Sequence, residues 1–191
     1  MSAEAIALVT AVLQNRLAAA VGGPVYVGPP IAEDVGTRTL SLCLYQAVPN
    51  QELRNERHYV ASAGDPDGPL VEAAALPLDL RYLVSVFRSA GTGGMGDPNE
   101  LITLGQAVRA LHEQPFIDDA QVPGQLVRIT PEPYTVEELS RIWGLFPDSS
   151  YRTSMVYLLS PVTVTLDPMP AGPAVVERTS RQGPFTEREQ S

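Results

Sequence analysis

The sequence predicts a single α+β domain in which a mixed, mainly antiparallel sheet of four to six strands packs with three helices. Three observations carry that prediction. Two stretches, "TRTLSLCLYQAV" (37–48) and "LPLDLRYLVSVF" (76–87), alternate residues with the period of two that a strand needs. Three others, at 3–21, 98–114 and after Thr135, repeat apolar residues at spacings of three and four, as a helix with one buried face does. Finally, 191 residues with 44% hydrophobic and 18% charged side chains suffice for one domain with a sizeable core.

Taken in order, the first helix carries Ile6, Val9, Leu13 and Leu17 on one face, and Gly22-Gly23-Pro24 stops it. A short strand is expected at 25–28. In the next strand Leu40, Leu42 and Leu44 face the core while Thr39, Ser41 and Cys43 face away, so Cys43 reads as a small filler residue. Residues 49–76 show little periodicity and contain "AGDPDGP", which predicts a long loop with one short strand near 57–62. A compact domain seldom carries so long a loop without a use, so Leu53, Arg54 and Asn55 are candidate contact residues. In the strand 76–87, Leu78, Leu80, Tyr82, Val84 and Val86 share one apolar face. Asp79, Arg81 and Ser85 lie on the other, where Leu83 and Phe87 predict partial cover. Asp79 and Arg81 are therefore a same-face pair suited to a surface or interface contact, not to catalysis.

The helix 98–114 presents Leu101, Leu104, Val108 and Leu111, with His112 near its end, where a cation complements the helix dipole. A short strand follows at 125–133. Thr135 and Glu138 form a capping box, with Tyr134 and Leu139 placed as a hydrophobic staple. The helix they open carries Leu139, Ile142, Trp143 and Phe146. A long strand at 151–166 is interrupted at Ser160-Pro161, which predicts an edge, a bulge or a bend. The domain is thus expected to occupy 1–166, with a flexible Pro/Gly-rich polar tail over 167–191.

The formal net charge of −9 repels phosphate backbones, and the 13 basic residues form no patch, so nucleic acid is not an expected partner. One cysteine excludes an internal disulfide framework and suits a reducing, cytoplasmic compartment. The amino-terminal run lacks the charge pattern of a secretory signal, and no apolar stretch approaches a membrane span. The two histidines, His58 and His112, share ligand spacing with no cysteine or carboxylate, so no metal site is expected.

One motif points elsewhere. Gly91-Thr-Gly93-Gly-Met-Gly96 is a literal G-x-G-x-x-G between a strand and a helix. A dinucleotide site needs a free helix N-terminus facing the pyrophosphate. Here Asp97 stands at the cap position, Pro98 at the first helical position and Glu100 in the first turn, so carboxylates already occupy the anion site. The ribose-binding acid on a second strand is missing as well. The glycines are read as a connection, and neither a cofactor nor an enzymatic activity is expected from them.

Four segments, taken in sequence, carry a resemblance. "NQELRNE" (50–56), "LPLDLRYLVSVF" (76–87), "LGQAVRALHEQPFI" (104–117) and "VRITPEPYTVEELSRIWGLFPDSSYRTSMVYLLSPVTV" (127–164) resemble the N-terminal domain of the cap, or tube-terminator, proteins of phage-tail-like contractile injection systems. The resemblance implies a tail-terminator-like fold and a structural role as a ring, by analogy a homohexamer, capping the end distal to the baseplate. It implies partners among the tube and sheath proteins, assembly into the particle from the cytoplasm, and no catalytic residues. A longer sheath-contacting extension is not expected. The alternatives are another ring adaptor or tail-completion component of the same particle, and a nucleotide-binding enzyme using the glycine loop.

Overall fold

The computed structural model describes residues 4–62, 65–87 and 98–165. The elements run α1 (Ala5–Val21), β1 (Tyr26–Val27), α2 (Ala32–Val35), β2 (Leu40–Pro49), β3 (His58–Ser62), β4 (Asp65–Ala73) and β5 (Ala75–Val86). They continue with α3 (Pro98–Glu113), β6 (Phe116–Ile117), β7 (Val127–Glu132), α4 (Val136–Trp143) and β8 (Ser154–Thr165). The class is α+β, as the sequence predicts. The helix count needs correction: a single turn, α2, joins the three expected helices and ends at Gly36, whose φ of 62° few other residues adopt.

Six strands form one sheet in the order β1-β2-β5-β8-β7-β6. Only β1 runs parallel to its neighbour β2; every other pair in this sheet is antiparallel. The two longest strands, β5 and β8, lie side by side at the centre because both carry unbroken apolar faces. On one face α1 and α3 bury Val9, Leu13, Leu17, Ala107 and Leu111 against Leu40, Leu42, Leu80, Tyr82, Tyr157 and Leu159. The Tyr82 hydroxyl, deep in that layer, is satisfied by Thr10 Oγ1 at 2.6 Å. α1 ends where Gly22 turns left-handed at φ 68°, as its glycine pair predicts.

The opposite face is covered at one end only. There α4 seats Ile142 and Trp143 on Cys43, Leu83 and Val156, with Tyr45, Tyr134, Leu139 and Phe146 packed around them. This second layer corrects the reading of β2 as half-buried. Ser41 and Cys43 are buried along with Leu40 and Leu42, and Leu44, expected in the core, is 36% exposed instead. Leu44 still pairs with Tyr82, in phase with Leu40 and Leu42, and the register of β2 against β5 slips only after it, between Leu44 and Gln46. Likewise, Leu101 on α3 is 66% exposed, too early in the helix to reach the core that Ala107 and Leu111 fill.

Pro161 behaves as the sequence suggests, but in the middle of the sheet. Leu78 pairs with Val162 and Leu80 with Leu159, so β8 carries one extra residue at Ser160–Pro161. A residue with no N–H to donate fits where the ladder is already open. The segment 49–76 departs most from expectation. It is not mainly loop: residues 50–56 form a turn, and β3 and β4 then pair as a separate two-stranded antiparallel ribbon. β4 passes into β5 with only Ala74 between them. Pro66 and Pro69 disguise β4 in the sequence, yet a ribbon consists of edge strands, which tolerate proline. The glycine loop 91–96 with Asp97, and the tail 167–191, lie outside the described residues.

Candidate assembly surface

Beyond the cover of α4, the outer face of the sheet is open, and the 50–56 turn rises beside it. Asn50 builds that turn. Its Oδ1 accepts from the backbone N–H of Glu52 (3.0 Å) and of Leu53 (2.9 Å), and its own carbonyl accepts from Arg54 N–H (3.0 Å). This is how an asparagine closes a first helical turn. The same side chain also reaches the sheet: Nδ2 donates to Asp79 Oδ1 on β5 (2.8 Å) and to Ser160 Oγ on β8 (3.2 Å). Ser160 Oγ in turn donates to Asp79 Oδ1 at 2.6 Å, and Asn50 N–H donates to the Pro77 carbonyl at 2.9 Å. Asp79 thus accepts two side-chain hydrogen bonds on one oxygen.

Next to this cluster, Arg81 reaches across β8 to Glu132 on β7. Nε and Nη2 donate to the two carboxylate oxygens at 2.8 and 3.2 Å, and Nη1 makes a longer contact of 3.4 Å to Gln46 on β2. Both side chains are only about one-fifth exposed (21% and 20%). The hydrogen bonds to Glu132 raise the Arg81 pKa further. A paired fork of this kind is strong and directional. Beyond it, Tyr45 donates to the Tyr134 hydroxyl at 3.1 Å, and burial, the largest cause, pushes the Tyr45 pKa up.

Turn and sheet enclose an open cleft of about 740 Å³ lined by Val48, Pro49, Asn50, Glu52, Arg54, Asp79, Arg81, Leu158 and Ser160 among others. Of the residues singled out in the sequence, Arg54, Asp79 and Arg81 meet in this cleft. Asn55 is exposed on the turn, and Leu53 is half-buried beneath it. Asp79 and Arg81, read as a pair, do not bond each other: each has its own partners, on the turn and β8 for the first and on β7 and β2 for the second. Pattern reading missed Asn50, Glu132 and Ser160. Asn50 could have been found, because Asn followed two residues later by Glu, after a strand-ending proline, is a turn-start signal. Glu132 and Ser160 had no such signal, since only the sheet order brings them to β5.

The lining of the cleft sets the Asp79 carboxylate against the Ser160 hydroxyl and includes no His, Lys, Cys or Tyr. Its aspartate and Arg81 are engaged in the networks just described, and its remaining charges, Glu52 and Arg54, stand exposed on the turn. Cys43 is buried, with its thiol pushed up to about 11 by desolvation. Among the described residues, no group of three or more His, Cys, Asp or Glu side chains is placed to hold a metal ion. No helix among them is long and apolar enough to cross a membrane. What the arrangement presents is a concave surface of mixed polar and apolar residues walled by a turn, with Arg81 paired to Glu132 and Asp79 held by the neutral groups of Asn50 and Ser160.

The family model for the Pvc16 N-terminal domain matches residues 5–178. The chain belongs to this family. Among solved structures, the domain resembles the sheath/tube terminator of the PVC extracellular contractile injection system in its extended state. The TM-score is 0.59 at 18% identity, over 93% of this chain and 65% of that one. It also resembles the tube-terminating cap of the anti-feeding prophage, with a TM-score of 0.58 at 19% identity, over 91% of this chain and 60% of that one. At such identities the likeness is one of fold, and this chain spans less than two thirds of either structure's length. No curated protein matches the sequence.

Proposed function

We propose that this chain is a structural terminator of a contractile injection particle, capping tube and sheath at the end distal to the baseplate as a ring, by analogy of six copies. The observation that carries the reading is a fold shared over more than nine-tenths of the chain with two solved terminators, in a chain of the Pvc16 N-terminal domain family. The surface chemistry supports it. A tube grows because each ring offers a face that accepts another ring, a contact that does not close along the axis. A terminator must match that face on one side and offer no equivalent on the other, which takes broad contact surfaces and no reactive pocket. The open sheet face with the 50–56 turn has that character, and Leu53, Arg54, Asn55, Asp79 and Arg81 are proposed to belong to the contact. On this reading the chain is not an enzyme, and it assembles with tube and sheath proteins in the cytoplasm.

The test is a deletion examined by electron microscopy of purified particles. Loss of the chain leaves tube and sheath subunits able to stack without a defined stop, so particles are expected to vary in length, to fray at the distal end, or to be absent. Particles of normal number and uniform length would end the terminator reading. Labelled chain found at the baseplate end would move it to an adaptor role.

A further inference from the structure

We infer that Asn50 is a positioning residue whose neutral amide locks the 50–56 turn to Asp79 and Ser160, presenting it as a pre-formed contact element. The inference rests on the proposed reading of that turn as part of the assembly surface. Position 50 demands a group that donates on one side and accepts on the other. Toward the turn stand two N–H donors, those of Glu52 and Leu53, which only an oxygen can meet. Toward the sheet stands the Asp79 carboxylate, 2.8 Å away, which only a donor can meet. Turning the amide over would set NH₂ against two N–H groups and oxygen against carboxylate, so the orientation follows from the network. Leucine or alanine would leave the two N–H groups of the turn without their acceptor and Asp79 with Ser160 alone, and aspartate would satisfy the turn while opposing a like charge to Asp79.

The consequence is functional. Exposed polar turns ordinarily sample many conformations, and a partner that binds one of them must order it first. Here Gln51, Glu52, Arg54, Asn55 and Glu56 are exposed, yet the backbone beneath them is tied to two central strands. Such a turn meets a partner already shaped, and suits a polar protein surface that repeats identically around a ring.

The experiment uses the full chain with Asn50→Ala, Asn50→Asp, the double variant Asn50→Asp/Asp79→Asn, and Arg54→Glu. Two quantities are read: amide hydrogen exchange at Glu52 and Leu53, and incorporation into particles. Asn50→Ala, which removes the acceptor, is expected to speed exchange at these amides by about tenfold or more while core strands stay protected. Asn50→Asp, which keeps the acceptor but repels Asp79, is expected to speed it less, and both are expected to lower incorporation. The double variant should restore both, because it exchanges the two groups: the amide then stands on β5 and donates, while the carboxylate stands on the turn and accepts from it and from that amide. Arg54→Glu should lower incorporation with exchange unchanged. Unchanged exchange in Asn50→Ala overturns the inference. So does faster exchange with full incorporation while Arg54→Glu still impairs it, which would mean that the turn is a contact needing no preset shape. Full incorporation of every variant removes the turn from the assembly surface, and this inference with it, whereas the terminator reading still stands or falls on particle length in the deletion.

Discussion

Trp143 is the largest side chain that joins α4 to the sheet, and the second core layer depends on it. It is 5% exposed, donates from Nε1 to Ser154 Oγ at 3.2 Å, and meets Phe146 edge-on at 6.2 Å between ring centroids. Trp143→Ala removes that volume and leaves Cys43, Leu83 and Val156 lining a void, so a loss of ~3–5 kcal/mol is expected in denaturant unfolding. A variant that melts like the wild type would mean that α4 collapses onto the sheet without it. Cys43, beneath, gives a second residue-scale prediction. Burial raises its pKa from 9.0 to about 11, so the neutral thiol is favoured in the folded state. The contribution to stability is complete below the unfolded value and is lost as pH rises through the folded one. At about pH 8 the thiolate is roughly one part in a thousand. A thiol reagent should therefore label the native protein hardly at all and the denatured protein at once. Rapid native labelling would show that α4 opens.

At the scale of elements, the capping box of α4 is legible in the sequence, and the structure builds it in full. Thr135 Oγ1 accepts from Glu138 N–H at 3.3 Å, and Glu138 accepts from Thr135 N–H at 2.8 Å. Thr135→Ala should cost about 1 kcal/mol in thermal or denaturant unfolding. The backbone hydrogen bond from Thr135 lowers the Glu138 pKa, so this cap contributes above the unfolded carboxyl pKa and fades as pH falls through the lower folded value. The penalty for Thr135→Ala should shrink in acid, and a penalty constant with pH would separate the cap from its carboxylate. Signals of this local kind are what the sequence displays well: α1 with its Gly22 stop, the apolar face of β5, the proline bulge in β8. Signals that depend on distant elements stay hidden. Cys43 and Ser41 look like an outward face until the sheet's second side is covered, and β4 looks like loop until β3 pairs with it. The same division runs through the candidate surface. Arg54 is visible as part of an unexplained polar stretch, whereas the partners Glu132 and Ser160 are neighbours of β5 only because β8 and β7 lie next to it.

At the scale of the molecule, the question is what a terminator must not do. A tube subunit joins copies of itself both around a ring and along an axis, and the axial contact, being heterologous and unclosed, continues without limit. A terminator keeps the closed contact and lacks the open one. Two features of the chain bear on this. Its net charge of −9 makes like copies repel at low ionic strength, so stacking needs a complementary face to overcome that repulsion. The β3–β4 ribbon forms a sheet of its own, and Pro66 and Pro69 in β4, having no N–H to donate, interrupt the backbone ladder that an edge would offer another strand. The purified chain is therefore expected to form discrete closed oligomers or to remain monomeric as concentration rises, and to form no filaments even when added salt screens the charge. Light scattering after size separation, with negative-stain images of the same fractions, measures this directly. Closed rings whose number of copies stays fixed across concentrations would support termination by a preset ring. Filaments or tubes of the chain alone would show an axial face on both sides, the property of a tube subunit and the reverse of a cap.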